Sequence, residues 1–195
     1  MKSRVSLFVA CFVLTACGGG GGSPDTASPL APTPPPAPAP PPVATTCDGN
    51  HLINVVAASD DGDSLAGFGP DQAIDDDLDS ASRWVSPGNA KALTLDLGSR
   101  HLVRVVGIAW HEGDERSARF SVSTSEDGAS YVELLPDQQS SGETDSFERY
   151  DSAPTIARYV RIDNFGNSAT SDNEIIEAVA FGCTLDTPTA VFEPG

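Results

Sequence analysis

Beyond residue 50, apolar and polar positions alternate in short runs, and helical periodicity is almost absent. The alternation predicts strands over 53–58, 92–97, 102–110, 118–124, 131–135, 147–151, 157–162 and 175–181. Turn formers separate them. Asp127-Gly128 reads as a hairpin turn, and Gly98, Pro136, Pro154 and Gly166-Asn167 break the pattern elsewhere. Many short strands with no intervening helices predict an all-β fold, an antiparallel β-sandwich of the jelly-roll kind.

Strands joined by hairpins run alternately up and down, so successive loops fall at alternate ends of the sandwich. Segments 111–116, 136–145 and 164–172 then share one end, and the tight turns at Asp127-Gly128 and Pro154 share the other. Long loops gathered at one end of a rigid scaffold are where binding residues concentrate. Trp110 closes an alternating strand and faces either the core or these loops.

The first 46 residues follow a different pattern. A basic start (Lys2, Arg4) precedes about ten apolar residues and then Thr15-Ala16-Cys17. A run that short cannot span a bilayer and reads as a secretory signal. Leu14-Thr15-Ala16-Cys17 resembles the lipobox of bacterial lipoproteins, which implies cleavage after residue 16 and acylation of Cys17. Gly18, where an Asp would imply inner-membrane retention, favours the outer membrane by the same resemblance. Residues 17–46 are a Gly-rich and then Pro-rich tether with too little apolar surface to fold. Several acyl chains anchor a protein stably where a single one does not.

With Cys11 lost in the leader and Cys17 acylated, Cys47 and Cys183 remain. They bracket the foldable stretch 47–183, and residues 184–195 form a tail. In an oxidising compartment a disulfide between them is expected, with two buried free thiols as the alternative.

Charge narrows the partners. The formal net charge is −17, and −19 once Lys2 and Arg4 leave with the leader. No nucleic-acid partner is expected, because such binding rests on neutralising phosphates with Lys and Arg. Anionic polymers are opposed at long range, although a local Arg or a bound cation can offset that field. The densest acids lie in Gln72–Trp84, where Asp75, Asp76, Asp77 and Asp79 precede Ser80, Ser82 and Trp84. Carboxylates, hydroxyls and loop carbonyls form the ligand set of a hard cation such as Ca²⁺, although the spacing is not that of an EF-hand. A solvated acidic loop is the other reading.

Taken in order, A-I-D-D-D-L-D-S-A-S-R-W, L-T-L-D-L-G, F-S-V-S-T-S-E-D-G-A-S-Y, A-R-Y-V-R-I and N-E-I-I-E-A-V-A-F-G resemble a discoidin domain. Such domains are also called coagulation factor five/eight type C domains, and they include the family-32 carbohydrate-binding modules. The resemblance implies a structural Ca²⁺ held by carboxylates of Asp75 and Glu177, by Ser82, and by main-chain carbonyls of Gln72, Asp77 and Ile176. Asp76 stands where the family has Gly, so it must adopt a backbone conformation that Gly takes most cheaply. The family position of Trp84 implies core packing, with sugar stacking as the alternative.

Ligand candidates are His111, Asp114 and Arg116 in the first long loop, whose G-D-x-R turn resembles that of some discoidin-like modules attached to polysaccharide lyases, and Asn164 and Asn167, which loop direction puts at the same end. Their planar, multi-donor groups suit adjacent sugar hydroxyls. A simple Asp114–Arg116 ion pair across a hairpin is the alternative. Arg158 and Arg161 are expected to brace the sandwich.

The expected function is a non-catalytic, carbohydrate-binding lipoprotein held to the membrane by its lipid anchor, with a cell-envelope protein or a separate enzyme as further partners. A protein–protein adhesion or envelope-assembly module on the same scaffold is the alternative. No enzyme is expected: the sequence lacks a Gly-x-Ser-x-Gly elbow, a zinc-spaced His pair and a Cys/His dyad.

Overall fold

The computed structural model describes residues 49–185. The leader, the tether, Cys17, Cys47 and most of the tail lie outside the described residues. Cys183 is disulfide-bonded.

The strands are β1 (His51–Ile53), β2 (Ala57–Asp60), β3 (Trp84–Ser86), β4 (Lys91–Trp110), β5 (Ala118–Ser125), β6 (Val132–Gln139), β7 (Glu148–Asn167) and β8 (Asn173–Thr184). A single 3₁₀ turn, Pro70–Ala73, is the only helical element among the described residues. All pairings are antiparallel.

The two long strands organise the sandwich. The first half of β4 (91–96) pairs with β2 and with the second half of β7 (159–164), which continues into β5 and β6. The second half of β4 (101–110) pairs with β8 and with the start of β7, and β1 and β3 flank β8 at its two ends. Each long strand therefore serves both layers. The pairs expected over 92–97 and 102–110, and over 147–151 and 157–162, are continuous strands. At Gly98 (φ 73°) and near Pro154 the chain shifts register instead of turning back. Such irregularities bend a strand without ending it.

Two other departures have local causes. The run expected over 53–58 splits into β1 and β2, which pair with different partners, β8 and β4. Strand β3 spans only three residues, too few to show an alternation.

The inward positions supply the core. Leu93, Leu95, Val103, Val106, Ile108, Phe120, Val122, Val160, Ile162 and Ile175 are fully buried. Trp84 is among them, its indole N–H donating to Asp60 Oδ2 at 2.9 Å. Trp110 is core as well: it meets the Phe120 ring at 4.9 Å, and its N–H donates to the Tyr150 hydroxyl at 3.0 Å. Side chains of this size each contribute roughly 1.5–3 kcal/mol by leaving water. Arg158 clasps Asp96 through two 2.9 Å contacts, and Arg161 holds Asp163 at 2.9 Å, so both brace the first layer.

The three long loops do share one end. Thr144 donates its N–H to the Gly113 carbonyl at 3.2 Å, and Ser168 to the Ser117 carbonyl at 2.9 Å.

Candidate functional site

β4 ends at Trp110, and the chain then turns through His111–Arg116 in a single tight turn. The N–H groups of Glu115 and Arg116 both donate to the Glu112 carbonyl, at 3.0 and 2.9 Å. Glu112 has φ 50°, a conformation costly for a residue with a Cβ and held here by the surrounding turn. Gly113 is required because a Cβ there would run into the Thr144 carbonyl.

This turn faces the start of β8, and a cluster of charges forms between them. Glu174 is the hub. Its carboxylate takes Arg116 Nη1 at 3.2 Å and Arg83 Nε at 3.3 Å, and His111 Nε2 lies 3.7 Å away. Arg116 also pairs with Glu112 through its other terminal nitrogen, and Glu112 lies 3.7 Å from His111. Arg83, His111, Arg116 and Glu174 are largely covered, while Glu112 is about half exposed. Burial, ahead of the neighbouring charges, holds His111 below the usual histidine value. Two nitrogens in the cluster, Arg116 Nε and His111 Nδ1, are buried without a hydrogen-bond partner.

A shallow notch beside this cluster is lined by His111, Arg116, Asn164, Asn167, Asp172 and Glu174, among others. Four of the five ligand candidates therefore converge. Asp114 does not line the notch, and it is exposed. Asn164 is buried and accepts from the Gly166 N–H at 3.2 Å. Asn167 shapes its own loop, accepting from Ala169 and Thr170 and donating to Thr170 and Asp172. Arg116 pairs with Glu112 and Glu174 rather than with Asp114. Sequence reasoning missed Arg83, Glu112 and Glu174. Their meeting depends on the β3–β8 register, which sets Val85 opposite Glu174 and which spacing along the chain does not reveal.

The acidic loop lies elsewhere, against the middle of β8. Asp75, Asp77 and Asp79 each accept the N–H two residues on, at 2.9–3.0 Å, so the loop is a chain of Asx turns. Asp76 has φ 62°, the conformation expected where Gly would be cheap. Ser82 donates its hydroxyl to Asp75 Oδ2 at 2.5 Å.

Glu177 faces this loop from β8 and is only 2% exposed. Its Oε2 has no partner, and burial together with the Asp75 charge pushes its carboxyl up to about 7. Ile176 has no register partner on β3 or β4, so a bulge frees its main chain from the ladder. No three His, Cys, Asp or Glu side chains converge on a metal position among the described residues. A cation here would have two carboxylates and otherwise neutral oxygens. That donor set suits Ca²⁺, and a buried carboxylate with an unsatisfied oxygen is what such an ion would relieve. The residues fit the ion.

Comparison with known proteins gives the family. The F5/8 type C domain model matches residues 54–178, more than half of the chain, and the chain belongs to that family. Among solved structures, the family-32 carbohydrate-binding module of AlyQ in complex with 4,5-unsaturated mannuronic acid is 37% identical, with a TM-score of 0.63. That match covers 67% of this chain and 98% of the module. A pectin-binding carbohydrate-binding module is 23% identical (TM-score 0.62, covering 73% of this chain and 96% of the module). The family-32 module of C. perfringens NanJ in complex with galactose is 15% identical (TM-score 0.56, covering 68% and 98%). The latter two show the shared fold alone. No curated protein matches the sequence. The scaffold is that of a discoidin-type carbohydrate-binding module, a non-catalytic binding fold.

Proposed function

We propose that the domain binds an acidic, uronate-containing glycan at its loop end. The observation that carries this reading is the convergence of His111 and Arg116 on one notch of a strongly acidic protein, with Arg83 beside them on the shared Glu174 carboxylate. Arg83 and Arg116 offset part of the surrounding acidic charge, and the planar donors of Arg116 and His111 match a carboxylate. Glu112, half exposed and in reach of both Arg116 and His111, stands where a ligand carboxylate would compete. Arg116 would take the sugar acid, His111 would supply a second contact, and Asn164 and Asn167 would shape the wall. The uronate ligand of the 37%-identical AlyQ module supports the same chemistry.

A Ca²⁺ ion held by Asp75, Glu177, Ser82 and the carbonyls of Gln72, Asp77 and Ile176 would neutralise the buried Glu177 and fix the acidic loop. Its role is structural. The reading includes a Cys47–Cys183 disulfide and a lipid anchor at Cys17 that places the module on the outer membrane, supported by the sequence of the leader. No catalytic role is assigned.

Affinity electrophoresis in alginate-containing gels tests the ligand. Retardation is expected for the wild type, with a loss of at least tenfold in affinity for Arg116→Gln. Equal mobility with and without alginate would sink the reading.

A further inference from the structure

A far larger concavity than the loop-end notch lies on the outer face of the first layer, with a volume of about 450 Å³. Its floor follows from strand register. Ser59 stands opposite Thr94, Thr94 opposite Arg161, and Arg161 opposite Ser123, while Ala57, Asp96, Tyr159 and Ser125 form the adjacent row. Leu93, Leu95, Val160 and Ile162 between them point into the core, so these rows face outward. One wall is the edge strand β2 with Asp60 and Asp61. The other is the β5–β6 hairpin, which carries Asp127, Gly128 and Tyr131.

We propose that this cleft is a second saccharide-binding site, taking neutral sugar residues of a glycan chain. The volume lies within the roughly 300–1,000 Å³ typical of ligand clefts. Tyr131 and Tyr159 line the cleft with the apolar bodies and polar tips that suit a pyranose, Arg161 lying 5.8 Å from the centroid of the first ring and Arg158 4.9 Å from that of the second. Gly128 is held at φ 76° with the Tyr159 ring so close that a Cβ would press on it at 3.1 Å. The hairpin thus meets the ring through a bare backbone.

Donors and acceptors stand side by side, as sugar hydroxyls require. Arg161 spends its Nε on Asp163 at 2.9 Å, and its terminal nitrogens make no hydrogen bond or ion pair to the described residues. Asp127 uses Oδ1 for Ala129, Ser130 and Ser125, leaving Oδ2 as an acceptor. Those same bonds hold its carboxyl down at about 2, so the charge is permanent at working pH.

The balance of charge selects against the loop-end ligand. Among the described residues Asp61 and Asp127 line the cleft with no ion-pair partner and outnumber Arg161, the single cation lining it, while Asp96 is paired with Arg158 and Asp60 turns its carboxylate to the Trp84 indole. A uronate or phosphate would be repelled, whereas a neutral polyol meets no such penalty. The two sites use separate residues, so the cleft extends the saccharide-binding reading without depending on the notch.

The test uses affinity electrophoresis of the full chain in gels containing galactomannan, mixed-linkage β-glucan or β-galactan, alongside alginate. At least one neutral polymer is expected to retard the wild type. Tyr159→Ala should lose at least tenfold of that affinity, and Ser59→Arg, which fills the cleft from an exposed position with no side-chain hydrogen bond among the described residues, should do the same. Both variants should keep their alginate retardation and their melting transition, followed by the fluorescence of buried Trp84 and Trp110, and Arg116→Gln should show the reverse pattern. Absence of retardation in all three neutral gels overturns the proposal. So does unchanged neutral retardation of the folded Ser59→Arg protein. Loss of alginate binding alone would count against the loop-end reading and leave the cleft standing.

Discussion

Replacing Glu177 with Gln separates a metal site from an ordinary buried acid. The wild-type carboxyl is pushed up to about 7, first by burial and then by the adjacent Asp75 charge. For an acid with a raised folded-state value, the native protein binds more protons than the unfolded chain between the two values. Without a divalent cation, Glu177 therefore costs no stability below about pH 4.5, and the cost grows through that window until it is complete above about pH 7. At about 1.36 kcal/mol per pKa unit, the full cost is roughly 3 kcal/mol. In EDTA at pH 8, Glu177→Gln should melt above the wild type, and near pH 4.5 the two should nearly coincide. Calcium should close most of that gap. At a free concentration about a hundredfold above its dissociation constant it would add about 2.7 kcal/mol to the wild type. At roughly 3 °C per kcal/mol for a domain of this size, that is about 8 °C. The variant, with one carboxylate left, should gain little. Thermal melts followed by tryptophan fluorescence at both pH values, in EDTA and in calcium, give the comparison. A wild type indifferent to calcium, or a variant less stable than the wild type in EDTA at pH 8, would falsify the reasoning.

Two further outcomes follow from the loop end. Because burial holds His111 below the usual histidine value, it is neutral at pH 7 and gains its proton only in more acidic solution. Alginate affinity should therefore be flat above pH 7 and rise as pH falls through the lowered value. His111→Gln should remove that rise, and calorimetric titration across pH would reveal a persisting slope that refutes the assignment. Gly113→Ala forces a Cβ into the Thr144 carbonyl. It should weaken alginate binding by tenfold or more by displacing the 111–116 turn while leaving retardation in a neutral gel intact, and unchanged alginate retardation would show that the turn is not part of the site.

Much of this protein could be read along the chain. Strand character follows from alternation, because neighbouring side chains on a strand face opposite sides. The grouping of the three long loops was expected from hairpin direction, but the turn assumed at Pro154 is an irregularity within β7, which passes from one layer to the other. The left-handed conformation of Asp76 and the approach of Glu177 to the acidic loop were both legible through the family resemblance. Tertiary structure decided the rest. Whether Gly98 and Pro154 end a strand or bend it depends on pairings with distant segments, since an isolated run carries no record of its register. Trp110 could face either way until Phe120 and Tyr150 were placed around it. The hub of the loop-end site, Glu174, became visible only when β3 and β4 brought Arg83, His111 and Arg116 to β8. Sequence sets which side chains share a face. Which faces meet, and which charges must then be neighbours, is settled by the packing of strands far apart in the chain.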